Sequence, residues 1–196
     1  MQTKKEEIRD TILEAAQKEF LIHGYEGSSM RTIAKKANTT IGNIYHYFSN
    51  KEAILEVLME EPIQSIHKVV DNHMQAHVRI YSYDELKKAL DEIEDIIDDS
   101  DLMYLMDERL LILFDLKTTR FVEIRDWFVK ACKQHLAWHL GVEDSDSAYV
   151  DILTNTFISC VRHILLEHKD VEQAKQEFGK VFKMLCAGLI TDKEEV

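Results

Sequence analysis

The scarcity of chain-breaking residues constrains this sequence more than any other feature. Only six glycines and one proline occur in 196 residues. Sheets joined by tight turns depend on glycine and proline, whereas helices joined by short loops need few of either. We therefore predict an all-α fold of about nine helices.

The first helix is predicted from an apolar stripe at the N-terminus. Ile8, Ile12, Ala16 and Phe20 are each one helical turn apart. Gly24 follows where helices often end in a left-handed residue. Farther on, Pro62 is expected to end or kink the fourth helix. Later helical patterns cover residues 63–80, 85–98, 101–116, 118–140, 146–168 and 171–190.

Two short helices follow the first and form a candidate helix-turn-helix. Ser28 or Ser29 can cap the second helix, and the third is the segment 41–48. At about 100° per residue, Ile41, Ile44 and Phe48 are predicted to face the core. The opposite face carries Thr, Gly, Asn, His and Tyr, which are unusual on a merely solvated surface. Such polar side chains donate to phosphates and base edges, and a glycine there permits close approach of the backbone.

The charge distribution confines any DNA contact to the N-terminus. The chain has a net charge of −12, which by itself argues against nucleic acid. However, residues 1–51 hold 8 basic and 6 acidic side chains, whereas the remainder has an excess of 14 acidic ones. An acidic C-terminal part would repel DNA.

Residues 8–55 as a whole resemble the N-terminal domain of the tetracycline-repressor (TetR/AcrR) family of transcriptional regulators. The resemblance rests on the first apolar stripe with Gly24-Tyr25, and on the segments 28–34, 41–48 and 51–55. It implies a helix-turn-helix DNA-binding domain at 1–50 and a helical effector-binding and dimerisation domain at 51–196. It also implies a homodimer that places two recognition helices in successive major grooves of a palindromic operator, released by a small-molecule effector.

The same resemblance implies which residues touch DNA. The groove-facing set is Thr39, Thr40, Gly42, Asn43 and His46. Contacts to the DNA backbone are expected from Tyr45, Tyr47 and Lys51, and contacts to flanking phosphates or bases from Ser29 and Arg31. For Tyr45, a border position on the helix leaves core packing as the alternative.

Two sets of residues are predicted in the C-terminal part. Apolar and adaptable side chains suggest an effector pocket lined by Met103, Met106, Phe128, His135 and Trp138. His135 could instead be a hydrogen-bonded core histidine. The helices at 146–168 and 171–190 are apolar on more than one side and must be covered twice. The predicted dimer interface on them comprises Phe157, Val161, Ile164, Phe178, Phe182 and Leu185.

Several classes of function have no support in the sequence. Without a phosphate loop, nucleophile elbow or zinc-protease motif, we predict neither enzyme activity nor a cofactor. The pairs His73/His77 and His135/His139 have helical ligand spacing but no obvious third ligand, so no metal site is predicted. Cys132, Cys160 and Cys186 fit reduced core thiols. No signal peptide or membrane span is recognised, which points to the cytoplasm.

Two alternatives stay open beside the ligand-released repressor. One is an adaptor that acts through protein partners on its acidic surface, although such a protein does not need the polar outer face of the third helix. The other is a metal-dependent regulator, which differs only in its effector.

Overall fold

The structure is a computed structural model that describes residues 2–74, 88, 101–140, 142–168 and 170–187. It contains eight α-helices and no strand within those residues, which confirms the all-α prediction. The helices are α1 (Gln2–Gly27), α2 (Met30–Lys36), α3 (Ile41–Tyr47), α4 (Lys51–Val69), α5 (Arg109–Asp115), α6 (Phe121–Leu140), α7 (Ala148–Glu167) and α8 (Val171–Ala187). A π-helical turn (Val70–Met74) follows α4, and a 3₁₀ helix (Asp101–Met106) precedes α5.

The chain divides into two compact units. The N-terminal unit comprises Met1–Gln64 together with Arg109–Arg125, and the C-terminal unit comprises Ser65–Glu108 and Asp126–Val196. The N-terminal unit therefore includes α5, which is far from α1–α4 in sequence. The functional boundary after residue 50 stays a prediction.

The core of the N-terminal unit forms along the predicted stripe of α1. Ile12, Ala16 and Phe20 are at most 2% exposed, and α1 packs against both α2 and α5. From α5, Leu110 and Leu113 are buried completely or nearly so. A helix that is distant in sequence thus shares one hydrophobic core with the N-terminal helices, and burial of its leucines stabilises it there by roughly 2 kcal/mol each.

Gly24 is a kink in α1 where the sequence predicted a helix end. Its φ of 72° and ψ of 159° are non-helical, and helical geometry resumes as far as Gly27. This region of backbone conformation is accessible almost only to glycine. The glycine redirects the end of α1 toward the start of α2.

Two helix predictions need revision. Of the two alternatives predicted for Pro62, the helix end is wrong, since α4 continues to Val69; burial of Ile66 and Val69 offsets the hydrogen bond that the proline removes. A kink at Pro62 stays a prediction. The predicted helix at 101–116 is divided into the 3₁₀ helix and α5. The helices predicted at 146–168 and 171–190 correspond to α7 and α8. The one predicted at 85–98 lies outside the described residues apart from residue 88.

The C-terminal unit is held together by aromatic contacts between α7 and α8. The ring of Phe157 lies 5.9 Å from that of Phe178 and 6.2 Å from that of Phe182, measured between centroids. Cys132 on α6 is buried, and burial raises the pKa of its thiol to about 12. The thiol therefore stays protonated and packs as a small apolar group, as predicted for this cysteine.

The residues of the predicted dimer interface differ in their exposure within the single chain. Val161, Ile164 and Phe178 are at most 7% exposed there, so they also pack in the core of their own chain. Phe157 and Phe182 are half-buried, and the side chain of Leu185 lies outside the described residues. The large apolar side chains exposed on α7 and α8 are Tyr149, Ile152, Leu166, Val171 and Met184. An interface on these helices stays a prediction.

Within the described residues, no helix has the length and apolar character that crossing a membrane requires.

Candidate nucleic-acid interface

The start of α2 is fixed by a reciprocal pair of side-chain hydrogen bonds. The backbone N–H of Thr32 donates to Ser29 Oγ, and the backbone N–H of Ser29 donates to Thr32 Oγ1, both at 3.1 Å. This capping box satisfies two backbone donors at the helix N-terminus. The hydroxyl of Ser29, predicted to contact DNA, is thus also the cap that orients α2.

The turn between α2 and α3 sets the angle at which α3 leaves the domain. Asn38 adopts a left-handed φ of 50°, a conformation that asparagine tolerates better than most residues. The N–H of Thr39 returns to the carbonyl of Ala34 at 3.0 Å. Thr40 then caps α3, since its Oγ1 accepts from the N–H of Asn43 at 3.1 Å.

α3 buries one face and presents the other to solvent. Ile44 and Phe48 are 0% and 4% exposed, as predicted. Ile41 was predicted to be buried and is 45% exposed, because it occupies the first position of the helix, one turn before the residues that reach the core. Gly42, Tyr45 and His46 are exposed on the outer face, whereas Thr39, Asn43 and Tyr47 are half-buried.

The outer face of α3 is ordered before any partner binds. Asn43 Nδ2 donates to Thr39 Oγ1 at 2.8 Å, which uses one of its two amide protons and fixes the direction of its carbonyl oxygen. The rings of His46 and Tyr47 meet edge to face with centroids 5.5 Å apart. Side chains that are already oriented lose less conformational entropy on binding.

Gly42 has open space where a side chain would be. A Cβ at this position would meet nothing within 4 Å, and its backbone is not left-handed. Among the described residues, neither backbone conformation nor a neighbouring atom requires a glycine here.

Lys51 has an intramolecular role that the sequence did not predict. Its Nζ donates to the carbonyls of Tyr25 at 2.5 Å and Ser28 at 2.8 Å, and lies 4.1 Å from the centroid of the Tyr25 ring. Burial lowers the pKa of Lys51 below its usual value, although the negative charge of Glu26 acts in the other direction and raises it. Lys51 thus ties α4 to the connection between α1 and α2. A contact from Lys51 to a phosphate stays a prediction.

A buried ion pair joins α1 to α2. Lys36 Nζ lies 2.5 Å from Oε2 of Glu19, whose side chain is only 3% exposed. Burial alone would raise the pKa of Glu19, but hydrogen bonds from Lys36 and Thr32 and the charges of Lys36 and His23 hold it below its usual value. Glu19 lies seven residues after Ile12 on the buried stripe, a position that could have indicated its burial from the sequence.

The segment of the chain that contains α2 and α3 has no acidic residue of its own. No acidic residue occurs between Gly27 and Lys51, although the whole chain holds 36. This segment includes Arg31 and Lys35, both exposed. The contrast with the acidic remainder marks this surface as the one compatible with a polyanion.

The comparisons with known proteins agree with this geometry. The sequence model described as "Bacterial regulatory proteins, tetR family" matches residues 12–58, which include α2, α3 and most of α1. The chain belongs to the TetR family. Its family match therefore covers the capped helices, the turn at Asn38 and the polar face of α3.

Curated relatives match this TetR-family chain in its N-terminal part. The HTH-type transcriptional regulator UidR of Escherichia coli K12 is 34% identical over 80 residues, which cover 35% of this chain and 41% of UidR. The HTH-type transcriptional repressor AcnR of Corynebacterium diphtheriae is 37% identical over 62 residues, or 32% of this chain and 33% of AcnR. The matched segment spans less than half the length of either relative.

Solved structures extend the likeness of the fold to most of the TetR-family chain. A TetR-family regulator from Bordetella parapertussis 12822 superposes with a TM-score of 0.56 at 18% identity, covering 89% of this chain and 93% of the other. The MbdR regulator from Azoarcus sp. CIB gives 0.53 at 22% identity, with coverages of 94% and 97%. At these identities the likeness shows the fold.

The predicted effector-pocket residues all belong to the C-terminal unit but differ in burial. Met106 and Phe128 are at most 7% exposed, and Met103 and His135 are half-buried, whereas Trp138 is 39% exposed. Trp138 and His135 lie in the last two turns of α6, one beside the other with ring centroids 6.3 Å apart. A pocket lined by the five residues stays a prediction.

Proposed function

We propose that this protein is a sequence-specific DNA-binding transcriptional regulator, a repressor that leaves its operator when a small molecule binds. The observation that carries the proposal is the outer face of α3. This face is exposed, polar and free of carboxylates, and buried Ile44 and Phe48 hold it in place. A solvated helix face has no need of these side chains or of a glycine with open space around it.

In the proposed complex α3 lies in the major groove. The orientation of Asn43 allows its amide to read an adenine, the base that asparagine recognises with two hydrogen bonds. Ile41 adds an apolar group that sequence reasoning assigned to the core and that can contact a thymine methyl. The remaining groove contacts are proposed from Thr39, Thr40, Gly42 and His46.

Phosphate contacts would flank this helix on both sides. Exposed Arg31 and Tyr45 are proposed to meet the DNA backbone directly. Ser29 and Tyr47 are proposed to join them. Lys51 Nζ donates two of its three protons to the carbonyls of Tyr25 and Ser28, and it would donate the third to a phosphate. Such contacts set the register of the protein on the duplex without reading its sequence.

We propose that the protein acts as a homodimer through α7 and α8. These helices expose Ile152, Leu166 and Met184, which are 56–64% accessible in the single chain. Burial of apolar side chains of this size favours association. Two copies of α3 would then read two half-sites about one helical turn apart, in a two-fold symmetric operator.

Effector release is proposed to act through α5 and the loop after it. This segment belongs to the N-terminal unit, yet the chain enters and leaves it from the C-terminal unit. Arg109 pairs with Glu61 at 2.8 Å, and Glu26 accepts from the N–H of Lys117 at 2.9 Å. A ligand that favours one arrangement of the C-terminal unit would shift this segment and so bias the DNA-binding helices.

Selection of binding sites from a random pool of duplex DNA tests the proposal. We expect the selected sequences to converge on a two-fold symmetric site whose half-sites lie about 10 base pairs apart, as two α3 helices in successive grooves require. Convergence on a site without symmetry would contradict the dimer. Failure of the pool to converge at all would contradict sequence-specific binding and favour the adaptor hypothesis.

A further inference from the structure

Two histidines at the end of α6 point their ring nitrogens at each other. His135 and His139 are one turn apart, and their Nε2 atoms are separated by 3.1 Å. The rings meet edge to face at 85°, with centroids 4.5 Å apart. Helical spacing alone puts two side chains on the same face, and here it also brings the two Nε2 atoms, each of which can ligate a metal, within 3.1 Å of each other.

The separation of the two nitrogens matches that of two ligands on one metal ion. Divalent transition metals bind histidine nitrogen at about 2.0–2.1 Å. Two nitrogens 3.1 Å apart then subtend roughly 100° at the ion, which lies between octahedral and tetrahedral angles. In the metal-free protein the two rings form a hydrogen bond at this separation, in which the Nε2–H of one ring donates to the Nε2 of the other. A bound metal ion would replace the shared proton between the two nitrogens.

The site is open to solvent and lies on an acidic protein. His139 is exposed and His135 is half-buried. Among the residues that the structure describes, no group of three or more histidine, cysteine or carboxylate side chains could hold a metal ion, so the site proposed here is a pair of imidazoles. The net charge of −12 raises the local concentration of cations.

We propose that His135 and His139 form a chelating site for a divalent transition-metal ion that prefers imidazole. The affinity order is expected to be Cu²⁺ first, with Ni²⁺ and Zn²⁺ weaker. The ion would bridge one turn of α6 and fix its C-terminal end. This binding is independent of the proposed DNA contacts, which lie in the N-terminal unit.

Trp138 provides a reporter for the test, because its ring lies 4.7 Å from that of His139. The chain has two tryptophans, so a Trp127→Phe chain leaves Trp138 as the sole one. In this background, titration with Cu²⁺ alone is expected to quench the fluorescence saturably with one ion per chain. Zn²⁺, which does not quench, is expected to restore the fluorescence by competition.

The matched variants decide the assignment. His135→Ala/His139→Ala is expected to raise the Cu²⁺ concentration for half-quenching at least tenfold, whereas His163→Ala/His168→Ala, at the C-terminal end of α7 and its cap, leaves it unchanged. Circular dichroism at 222 nm checks that α6 remains helical in both chains. Saturable quenching that survives the loss of His135 and His139, or quenching that never saturates in the parent, would overturn the proposal.

Discussion

A Gly42→Ala chain is expected to unfold at a higher temperature than the unchanged chain and to bind its operator at least thirtyfold more weakly. The two effects have opposite signs because they arise from different surfaces. Inside the protein the new methyl group meets nothing within 4 Å. On DNA it would lie between the helix backbone and the groove.

The magnitudes follow from these two environments. Alanine stabilises an exposed helix position by about 1 kcal/mol relative to glycine. An extra methyl group in a tightly packed interface costs about 1–3 kcal/mol, and the proposed dimer carries it twice. A loss of about 2 kcal/mol already weakens binding roughly thirtyfold.

Thermal unfolding by circular dichroism and fluorescence anisotropy on the selected duplex measure the two effects. Gly27→Ala is the matched control, because its Cβ is also unhindered and it lies outside α3. The control is expected to keep full DNA affinity. Unchanged operator affinity in Gly42→Ala would show that α3 does not approach the groove as proposed.

Lys36→Met is expected to lower the free energy of unfolding by about 2 kcal/mol at pH 7, since it leaves the carboxylate of Glu19 buried without a cation. Removing one partner of a fully buried pair costs about 3–5 kcal/mol, and this value is reduced because Lys36 is 39% exposed. The double variant Lys36→Met/Glu19→Gln is expected to recover most of the loss. Urea unfolding measures all three chains.

The dependence of this effect on pH has a definite sign. The pKa of Glu19 in the folded chain lies below its usual value of 4.5. The pair therefore contributes its stability above pH 4.5, and the contribution is lost as the pH falls through the lowered pKa. The difference between the unchanged chain and Lys36→Met is expected to shrink as the pH is taken below that value.

Lys35→Met serves as the control for the ion pair. It makes the same substitution at an exposed neighbour on the same helix and is expected to change the free energy of unfolding by less than about 0.5 kcal/mol. Equal destabilisation by Lys35→Met and Lys36→Met would mean that the loss comes from the helix surface and not from Glu19.

Features with a local cause could be predicted from the sequence. The break at Gly24 follows from the conformational freedom of one residue, and burial of Ile44 and Phe48 follows from helical periodicity. The caps of α2 and α3 use Ser29 and Thr40, residue types that cap helices in most contexts. These local rules place the polar face of α3 without knowledge of the rest of the chain.

Features that depend on contacts between distant segments could not be predicted from the sequence. The bonds of Lys51 to Tyr25 and Ser28 join residues more than 20 positions apart, and α5 shares a core with α1 across some 90 residues. Periodicity also cannot tell an apolar face that meets another helix of the same chain from one that meets a second chain, so it did not predict that Val161, Ile164 and Phe178 are buried within the single chain. The prediction that Ile41 is buried was wrong for a simpler reason, since the first turn of a helix can extend beyond the hydrophobic core against which the rest of the helix packs.

The most direct test is the ratio of two dissociation constants, for a scrambled duplex and for the selected site, measured by anisotropy at about 0.15 M salt. We predict a ratio of about a thousand or more, reduced at least tenfold by Asn43→Ala, which removes a proposed base contact. Asn155→Ala, the same change on α7, is expected to leave it unchanged. A ratio near one for the unchanged chain would contradict sequence-specific recognition by α3.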